Sequence, residues 1–404
     1  MRGFLRPDGR KGIRNVVLVV YLVECAHFVA REIALSHRGP DVQVIGFSGC
    51  YPSDHAEHML GRLCTHPNVG AVLLVSLGCE GFNREALRRT VADSGRPVET
   101  LVIQDCGGTS ATVAAGGRWL AGIVSRLHAA PTVETGFDEL VVGTICGGSD
   151  GTSGLTANPA IGRAFDAMGA RGAACIFTEN AELIGCESFM AARAETPDLA
   201  ESIIGAVVKA ARYDHAFGHG SFAPGNAEGG LTTQEEKSAG AYAKSGTAPI
   251  RGLLRPPMQP PAGGLYLLDD TPDGAPLYGF AQLNDSTKLA ELAACGAHLI
   301  LYSTGRGSVL GSAISPVVKV CANPATFQRL AGDMDIDAGR ILTGDATLDE
   351  IGAEIVAAVR AAAGGERTKS ETLGHQEFVL TYKNFGPAGP ACLPVPAPSA
   401  GMVI

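Results

Sequence analysis

The sequence predicts an α/β protein, with an N-terminal parallel-sheet domain of the flavodoxin/Rossmann-like kind followed by a larger α/β C-terminal domain. Three observations carry this. Short, continuous apolar runs recur through residues 16–104. They alternate with segments of helical apolar spacing at intervals of about 25–30 residues, the mark of βα units on a parallel sheet. The runs are apolar throughout rather than alternating, as expected of strands covered on both faces.

The elements follow in order. VVLVVYLV (16–23) is a buried strand, and Glu24 to Leu35 has the spacing of a helix. VQVIGF (42–47) precedes a helix from Ser53 to Cys64, and GAVLLVSL (70–77) precedes one from Asn83 to Ala92. PVETLVIQ (97–104) is a fourth strand, followed by a helix from Ser110 to Leu127. HAAPTVETGFDE (128–139) reads as a linker, so the expected division is 1–133 and 134–404. The second part opens on the strand LVVGTIC (140–146). Helices are expected near Pro159–Met168, Asp198–Ala211 and Thr232–Ala243, strands at GLYLLD (264–269) and AHLILYST (297–304), and a helix from Leu348 to Ala363. AGGERTKSETLG (363–374) reads as a polar loop, and the Pro- and Gly-rich tail after Tyr382 as irregular.

Composition limits the function. Hydrophobic residues make up 46% and charged residues 18%, the reverse of a disordered chain. A length of 404 residues allows two or three domains and a core that needs no disulfide staples. The net charge is −9 and no basic block occurs, which argues against nucleic acid as a partner. No apolar run near the start approaches the ~18 residues of a membrane span, and no secretory leader precedes Asp8, so a cytoplasmic location and no membrane association are expected. Eleven cysteines, odd in number and widely spaced, would then be thiols rather than a disulfide framework.

The cysteines have a pattern. Cys25, Cys50, Cys79 and Cys106 each follow one of the first four strands, and Cys146 follows the first strand of the second part. In a parallel sheet the carboxyl ends of the strands share one edge, where ligands bind. Cysteine also packs well as a small apolar residue. The reading favoured for Cys50, Cys79 and Cys146 is a metal or cluster site, since thiolates select iron–sulfur clusters, zinc or copper(I); Cys25 and Cys106 are expected to be packing residues.

Glycine-rich loops carry the other candidates. CGGSDGTSGLTANPAIG (146–162) runs from a strand into a helix and offers Ser149, Asp150, Thr156 and Asn158 beside backbone N–H groups suited to a carboxylate or phosphate. Asp8–Gly9–Arg10 and GNAEGGLTT (225–233) are similar loops. STGRGS (303–308) sets Arg306 between two glycines, where a guanidinium could grip a substrate carboxylate bidentately. For acid–base work the residues are Glu179, Glu187, Glu236, Lys237, Lys319, His375 and Glu377. Spacing alone does not choose among them.

Seven motifs in one order narrow the choice: GFLRPDGRKGIRN, LGCE, CGGSDGTSGLTANPAIG, PGNAEGGLTTQEEKSAGA, STGRGS, DMDIDAGRI and GHQEF. Together they resemble the altronate/galactarate dehydratase family, which includes the large subunit of sulfolactate sulfo-lyase. The resemblance implies dehydration of sugar acids to 2-keto-3-deoxy acids with ferrous iron or an iron–sulfur cluster. It also implies a small SAF-type domain of about 90 residues; this chain begins at GFLRPDGR, so that domain is expected as a separate partner subunit. The cysteines at 50, 79 and 146 match the family's GC, LGCE and CGGSD positions. In TENAELIGCES (178–188), Cys186 and Ser188 depart from the family's usual Ala and His.

The expectation is therefore a homo-oligomeric hydro-lyase for a small acidic hydroxy acid. It would remove an α-proton and eliminate a β-hydroxide with iron as Lewis acid. His375, Lys237 and Glu179 are the catalytic candidates. Arg306, Asn158, Thr156, Ser149 and Asp150 would bind substrate, and Cys50, Cys79 and Cys146 the metal. A sulfo-lyase releasing sulfite from sulfolactate and a non-catalytic ligand-binding module are the alternatives.

Overall fold

The computed structural model describes residues 1–37, 39, 41–218, 223–273 and 284–380. The tail after Tyr382 lies outside the described residues.

After β1 (Arg2–Leu5) and β2 (Lys11–Gly12), the strands β3 (Val16–Tyr21), β4 (Val42–Gly46), β5 (Val69–Ser76) and β6 (Val98–Val102) form a four-stranded sheet. Its order is β4-β3-β5-β6 and every pairing is parallel. Helices α1 (Glu24–Leu35), α2 (Asp54–Cys64), α3 (Arg84–Asp93) and α4 (Thr109–His128) cover both faces. The unbroken apolar runs have the expected cause. Val17, Val19 and Leu73 pack under Ala30 and Ile33 of α1 and Leu120 of α4, while Leu18, Val20 and Leu74 pack under Met59 and Leu63 of α2 and Val91 of α3.

The 128–139 segment is no free linker. β7 (Val133–Glu134) pairs with Arg2–Gly3 in a small antiparallel sheet, and Phe137 is buried in the second core. Seven further strands follow: β8 (Val141–Cys146), β9 (Ala174–Phe177), β10 (Ile250–Leu254), β11 (Gly264–Leu268), β12 (Leu299–Thr304), β13 (Val317–Cys321) and β14 (Ile336–Asp337). They form a seven-stranded parallel sheet in the order β10-β11-β9-β8-β12-β13-β14. The chain steps from β8 to β9 on one side and later returns to β12 on the other. The strand order therefore reverses between β8 and β12, which is where ligands enter open α/β sheets. Helices α5 (Ala157–Gly169), α6 (Pro197–Phe217), α7 (Gln234–Ala243) and α9 (Leu348–Ala363) share the core on one face, and α8 (Asp285–Ala294) packs on the other. No described helix is long and apolar enough to cross a membrane.

The halves are packed together. Ala293 and Ala294 of α8, with Ala313, Ile314 and Leu380, join the core under α2 and α3. The GFLRPDGRKGIRN motif belongs to this seam. Arg6 donates to Pro67 O (2.6 Å), Asn15 Oδ1 (2.7 Å) and Arg14 O (2.8 Å), and Arg10 to Asp8 and Thr65 O. Arg14 binds Glu371 at 2.6 Å and the carbonyls of Ala362 and Glu366. The 363–374 stretch is accordingly ordered: Lys369–Leu373 is a helical turn closed by a Thr368–Glu371 capping box.

Two buried histidines cross the seam. His66 Nδ1 accepts from Asn68 N (3.0 Å), with Nε2 on Ala297 O (3.2 Å); His298 Nδ1 accepts from Val141 N (3.0 Å), with Nε2 on Lys11 O (2.9 Å). Each ring is a neutral Nε2–H tautomer whose second nitrogen is occupied, so protonation would break a hydrogen bond. Burial holds both below the ordinary 6.5, His298 at about 4 and His66 well down, where the nearby His298 adds to the effect. The sign follows: between pH 6.5 and 4 the unfolded chain binds protons that the folded chain refuses, so stability falls with pH. The expected slope is about 1.4 kcal/mol per pH unit for each ring. Urea midpoints of wild type and His298→Gln from pH 7 to 5 check this; equal slopes would refute it.

Candidate active site

The site stands at the strand-order reversal. Cys146 ends β8 directly opposite Ser303 of β12. The loop after it is fastened to its neighbours: Gly147 N donates to Ser303 O (3.0 Å), and Gly305 N and Arg306 N both donate to Gly148 O. Asn226 Nδ2 donates to Ser149 O (2.8 Å) and Gly151 N to Gly229 O (3.1 Å). The structure thus brings together three of the glycine-rich loops, 146–153, 225–230 and 303–308. Gly147 must be glycine, since a Cβ there would lie 1.8 Å from the Tyr302 hydroxyl. A Cβ on Gly305 would lie 2.1 Å from the Asp150 carboxylate.

Beyond β9 the backbone turns through Glu179, whose φ of +80° is the one positive value at a non-glycine position among the described residues. Such a conformation persists only where its surroundings enforce it. Here Glu179, 1% exposed, accepts from Cys146 N at 2.8 Å, from Lys244 and, at 3.4 Å, from Lys288. The 3₁₀ turn Asn180–Leu183 then puts Glu182 on the same side, three residues on. Glu182 accepts from Cys146 Sγ (2.9 Å) and from Lys237 Nζ (2.9 Å). Lys237 also donates to Ser149 Oγ at 2.8 Å and lies 3.4 Å from Cys146 Sγ. Lys237 and Lys244 are two helical turns apart on and just past α7, so both ammonium groups emerge on one face. Lys288 of α8 also approaches Asp270 (3.9 Å), and Tyr302 donates to Asp285 at 2.6 Å.

Electrostatics fixes the protonation states. Burial alone would raise Glu179, but Lys244, Lys288 and Lys237 hold it down at about 2. Burial would lower the three lysines, and the facing acidic groups outweigh it, so all three titrate above the ordinary 10.5. Burial, Glu179 and Glu182 push the Cys146 thiol up to about 11. The facing carboxylates favour the ammonium form of Lys237, the form that donates a proton.

Cys146 Sγ and one carboxylate oxygen each of Glu179 and Glu182 lie within 4.8 Å of one another, a group compatible with a metal ion. The donors fit: a thiolate with two carboxylates suits iron(II) or zinc better than magnesium or calcium, and three ligands leave coordination positions open. A divalent ion would also reverse the upward shift of the thiol.

Of the three cysteines expected at the metal, Cys146 stands in this group. Cys50 and Cys79 are exposed and are not in this group. The βα period does bring them to a common edge, but that edge belongs to the first sheet and Cys146 to the second. Thr156 and Asn158 are also reassigned. Both are buried, with Thr156 donating to Thr152 O and Ala322 O, and Asn158 bonded to Gly240 O and Ser303. They hold the loop from beneath. Asp150 does the same through Thr152, Ser153 and Asn323. Arg306 donates to Gly225 O (2.6 Å) and keeps a side chain 40% exposed. His375 is outside the cluster, 3.3 Å from Lys319 Nζ, and Glu377 accepts from Gly311 N. Glu187 and Glu236 cap local turns.

A family model described as D-galactarate/altronate dehydratase, C-terminal, matches residues 137–385. One described as D-galactarate dehydratase/altronate hydrolase, second domain, matches residues 3–128. The (2R)-sulfolactate sulfo-lyase subunit beta of Chromohalobacter salexigens is 32% identical over 393 residues, covering 94% of this chain and 96% of that one. Altronate dehydratase of Escherichia coli is 29% identical, covering 93% of this chain and 76% of its own length. Galactarate dehydratase (L-threo-forming) of Escherichia coli is 29% identical, covering 81% of this chain and 62% of its own length.

Proposed function

This chain belongs to the D-galactarate/altronate dehydratase family, a family of lyases, and on that premise we propose that it converts a small 2-hydroxy acid into a 2-oxo acid by β-elimination. The observation that carries the reading is Cys146, Glu179 and Glu182 set against Lys237 at the strand-order reversal. In the reaction solvent water takes the α-hydrogen as a proton, and the electron pair of the broken carbon–hydrogen bond forms the enolate. The bond from the β-carbon to its leaving group then breaks, and the enol becomes the 2-oxo acid.

The roles follow from the geometry. Lys237 protonates the departing hydroxide. Lys244 and Lys288 fix Glu179, and the exposed Arg306 receives the substrate carboxylate. Iron(II) held by Cys146, Glu179 and Glu182 would supply Lewis-acid polarisation of the substrate's oxygen atoms. The facing carboxylates favour the ammonium form of the lysines and Glu179 is enclosed, so the α-proton passes to solvent water.

A second reading, sulfite as the leaving group, is favoured by similarity to the sulfo-lyase subunit over nearly the whole of both chains. That relative's name, subunit beta, supports a small companion subunit, of SAF type by resemblance. Anaerobically purified protein, with and without the companion, should be assayed for 2-oxo acid and sulfite from sugar acids and sulfolactate. No 2-oxo acid from any of them would refute the lyase reading. Cys146→Ser should weaken iron retention by more than about 100-fold, beyond the 10–100-fold cost of losing an outer-shell contact. Metal analysis after dialysis measures this, and full retention removes the thiolate from the ligand set.

A further inference from the structure

A water molecule that takes the α-proton needs a base to pass it to, because water alone is a far weaker base than a carboxylate. Most carboxylates around the site are committed. Glu179 is enclosed by lysines, Glu182 faces Cys146 and Lys237, and Asp150 binds Thr152 and Asn323. Asp269 and Asp270 face Lys209 and Lys288. Asp285, the first residue of α8, is half-buried and has a neutral partner: its Oδ2 accepts from the Tyr302 hydroxyl at 2.6 Å.

This pair is set against the loop that follows Cys146. Asp285 Oδ2 lies 2.2 Å from where a Gly147 Cβ would stand, beside the Tyr302 hydroxyl at 1.8 Å. The missing side chain at Gly147 is what lets the carboxylate come up to the backbone one residue past Cys146. One turn further along α8, Lys288 reaches Glu179 at 3.4 Å. Helix α8 therefore brings a carboxylate and an ammonium group to one site. Burial raises the Asp285 carboxyl above its ordinary value, and Glu179 and Glu182 add to the rise against Lys288 and Tyr302. That direction makes it a stronger base.

We propose, resting on the lyase reading above, that Asp285, held by Tyr302, is the acceptor of the α-proton through one bridging water. The water takes the α-hydrogen as a proton and passes one of its own to the Asp285 carboxylate while the enolate forms. Lys237 then gives a proton to the departing hydroxide, which leaves as water. Solvent returns the proton of Asp285 to Lys237. The balance is substrate to 2-oxo acid and water, with the protein unchanged. Base and acid come from opposite faces of the second sheet, Asp285 on α8 and Lys237 on α7.

The test measures tritium released to water from α-tritiated sugar acids and sulfolactate, using anaerobically purified full-length protein with its companion. Release counts carbon–hydrogen cleavage whether or not elimination follows, and 2-oxo acid is assayed beside it. Asparagine still accepts from Tyr302, so Asp285→Asn should keep the wild-type circular dichroism. It should slow release by about 10²–10⁴-fold, and formate should recover at least about tenfold of that loss in Asp285→Ala. A residue that merely supports the fold would not be rescued by a free carboxylate. Wild-type release in Asp285→Asn, or a folded Asp285→Ala that formate does not rescue, would overturn the proposal and leave the lyase reading in place. If the wild type releases tritium without forming 2-oxo acid, and Asp285→Asn stops the release, the lyase reading falls and Asp285 stands as the acceptor. Neither release nor product in the wild type would overturn both.

Discussion

Lys244→Met is expected to destabilise the protein by about 3–5 kcal/mol, the cost of breaking a buried ion pair by removing one partner. Lys244 and Glu179 have side chains each 1% exposed. The methionine fills the volume, but Glu179 is left with Lys288 at 3.4 Å, the Cys146 amide at 2.8 Å and the charge of Lys237 nearby. Adding Glu179→Gln removes the uncompensated charge, so the double variant should be more stable than the sum of the single effects predicts. The pH dependence supplies a second check. In the wild type, the depressed Glu179 contributes stability that is present above 4.5 and lost as pH falls towards about 2. In Lys244→Met that acid loss should shrink, because the carboxylate is no longer held as far down. Urea unfolding at pH 7 measures the first effect and the change from pH 4 to pH 2.5 the second; a cost under about 1 kcal/mol, typical of an exposed pair, would show that the ion pair is not buried in solution.

The first sheet was open to reading because its strands are unbroken apolar runs. The predicted α1 and α9 match the structure at residues 24–35 and 348–363, where one face alone is apolar. Other elements carry weaker signals. β9 is only ACIF, and β13 has Lys319 in the middle of its apolar run. α8 buries Thr287, Leu289, Glu291 and Leu292 alike, so it has little polar face to set its period.

The site divides in the same way. Cys146, Ser149, Glu179 and Lys237 stand in motifs with distinctive spacing. Lys244 could have been found, since it lies two helical turns past Lys237, and Glu182 lies one 3₁₀ turn past Glu179. Lys288 and Asp285 could not, because they reach the site from α8 on the opposite face of the sheet. Of the three cysteines expected at the metal, Cys146 alone stands in the group found, for a related reason. The βα period places residues along the edge of one sheet and carries no information on how two sheets face each other.

Lys237→Met should slow formation of the 2-oxo acid by about 10²–10⁴-fold, the usual contribution of a positioned acid or base. Lys237 is 5% exposed and faces Glu182 at 2.9 Å, Ser149 at 2.8 Å and Cys146 at 3.4 Å. Despite its burial, those groups favour its charged form, which donates a proton. An acid acts when the leaving group departs, after the α-proton is gone. The variant should therefore still exchange the substrate's α-hydrogen with deuterium from D₂O while elimination stalls, which NMR of recovered substrate detects. Lys237→Arg keeps the charge but replaces a compact ammonium with a larger planar fork, so partial activity is expected. Wild-type turnover in Lys237→Met would remove the residue from the mechanism. Loss of exchange together with elimination, in a folded variant, would instead assign Lys237 to the proton-abstraction step and overturn its role as the acid.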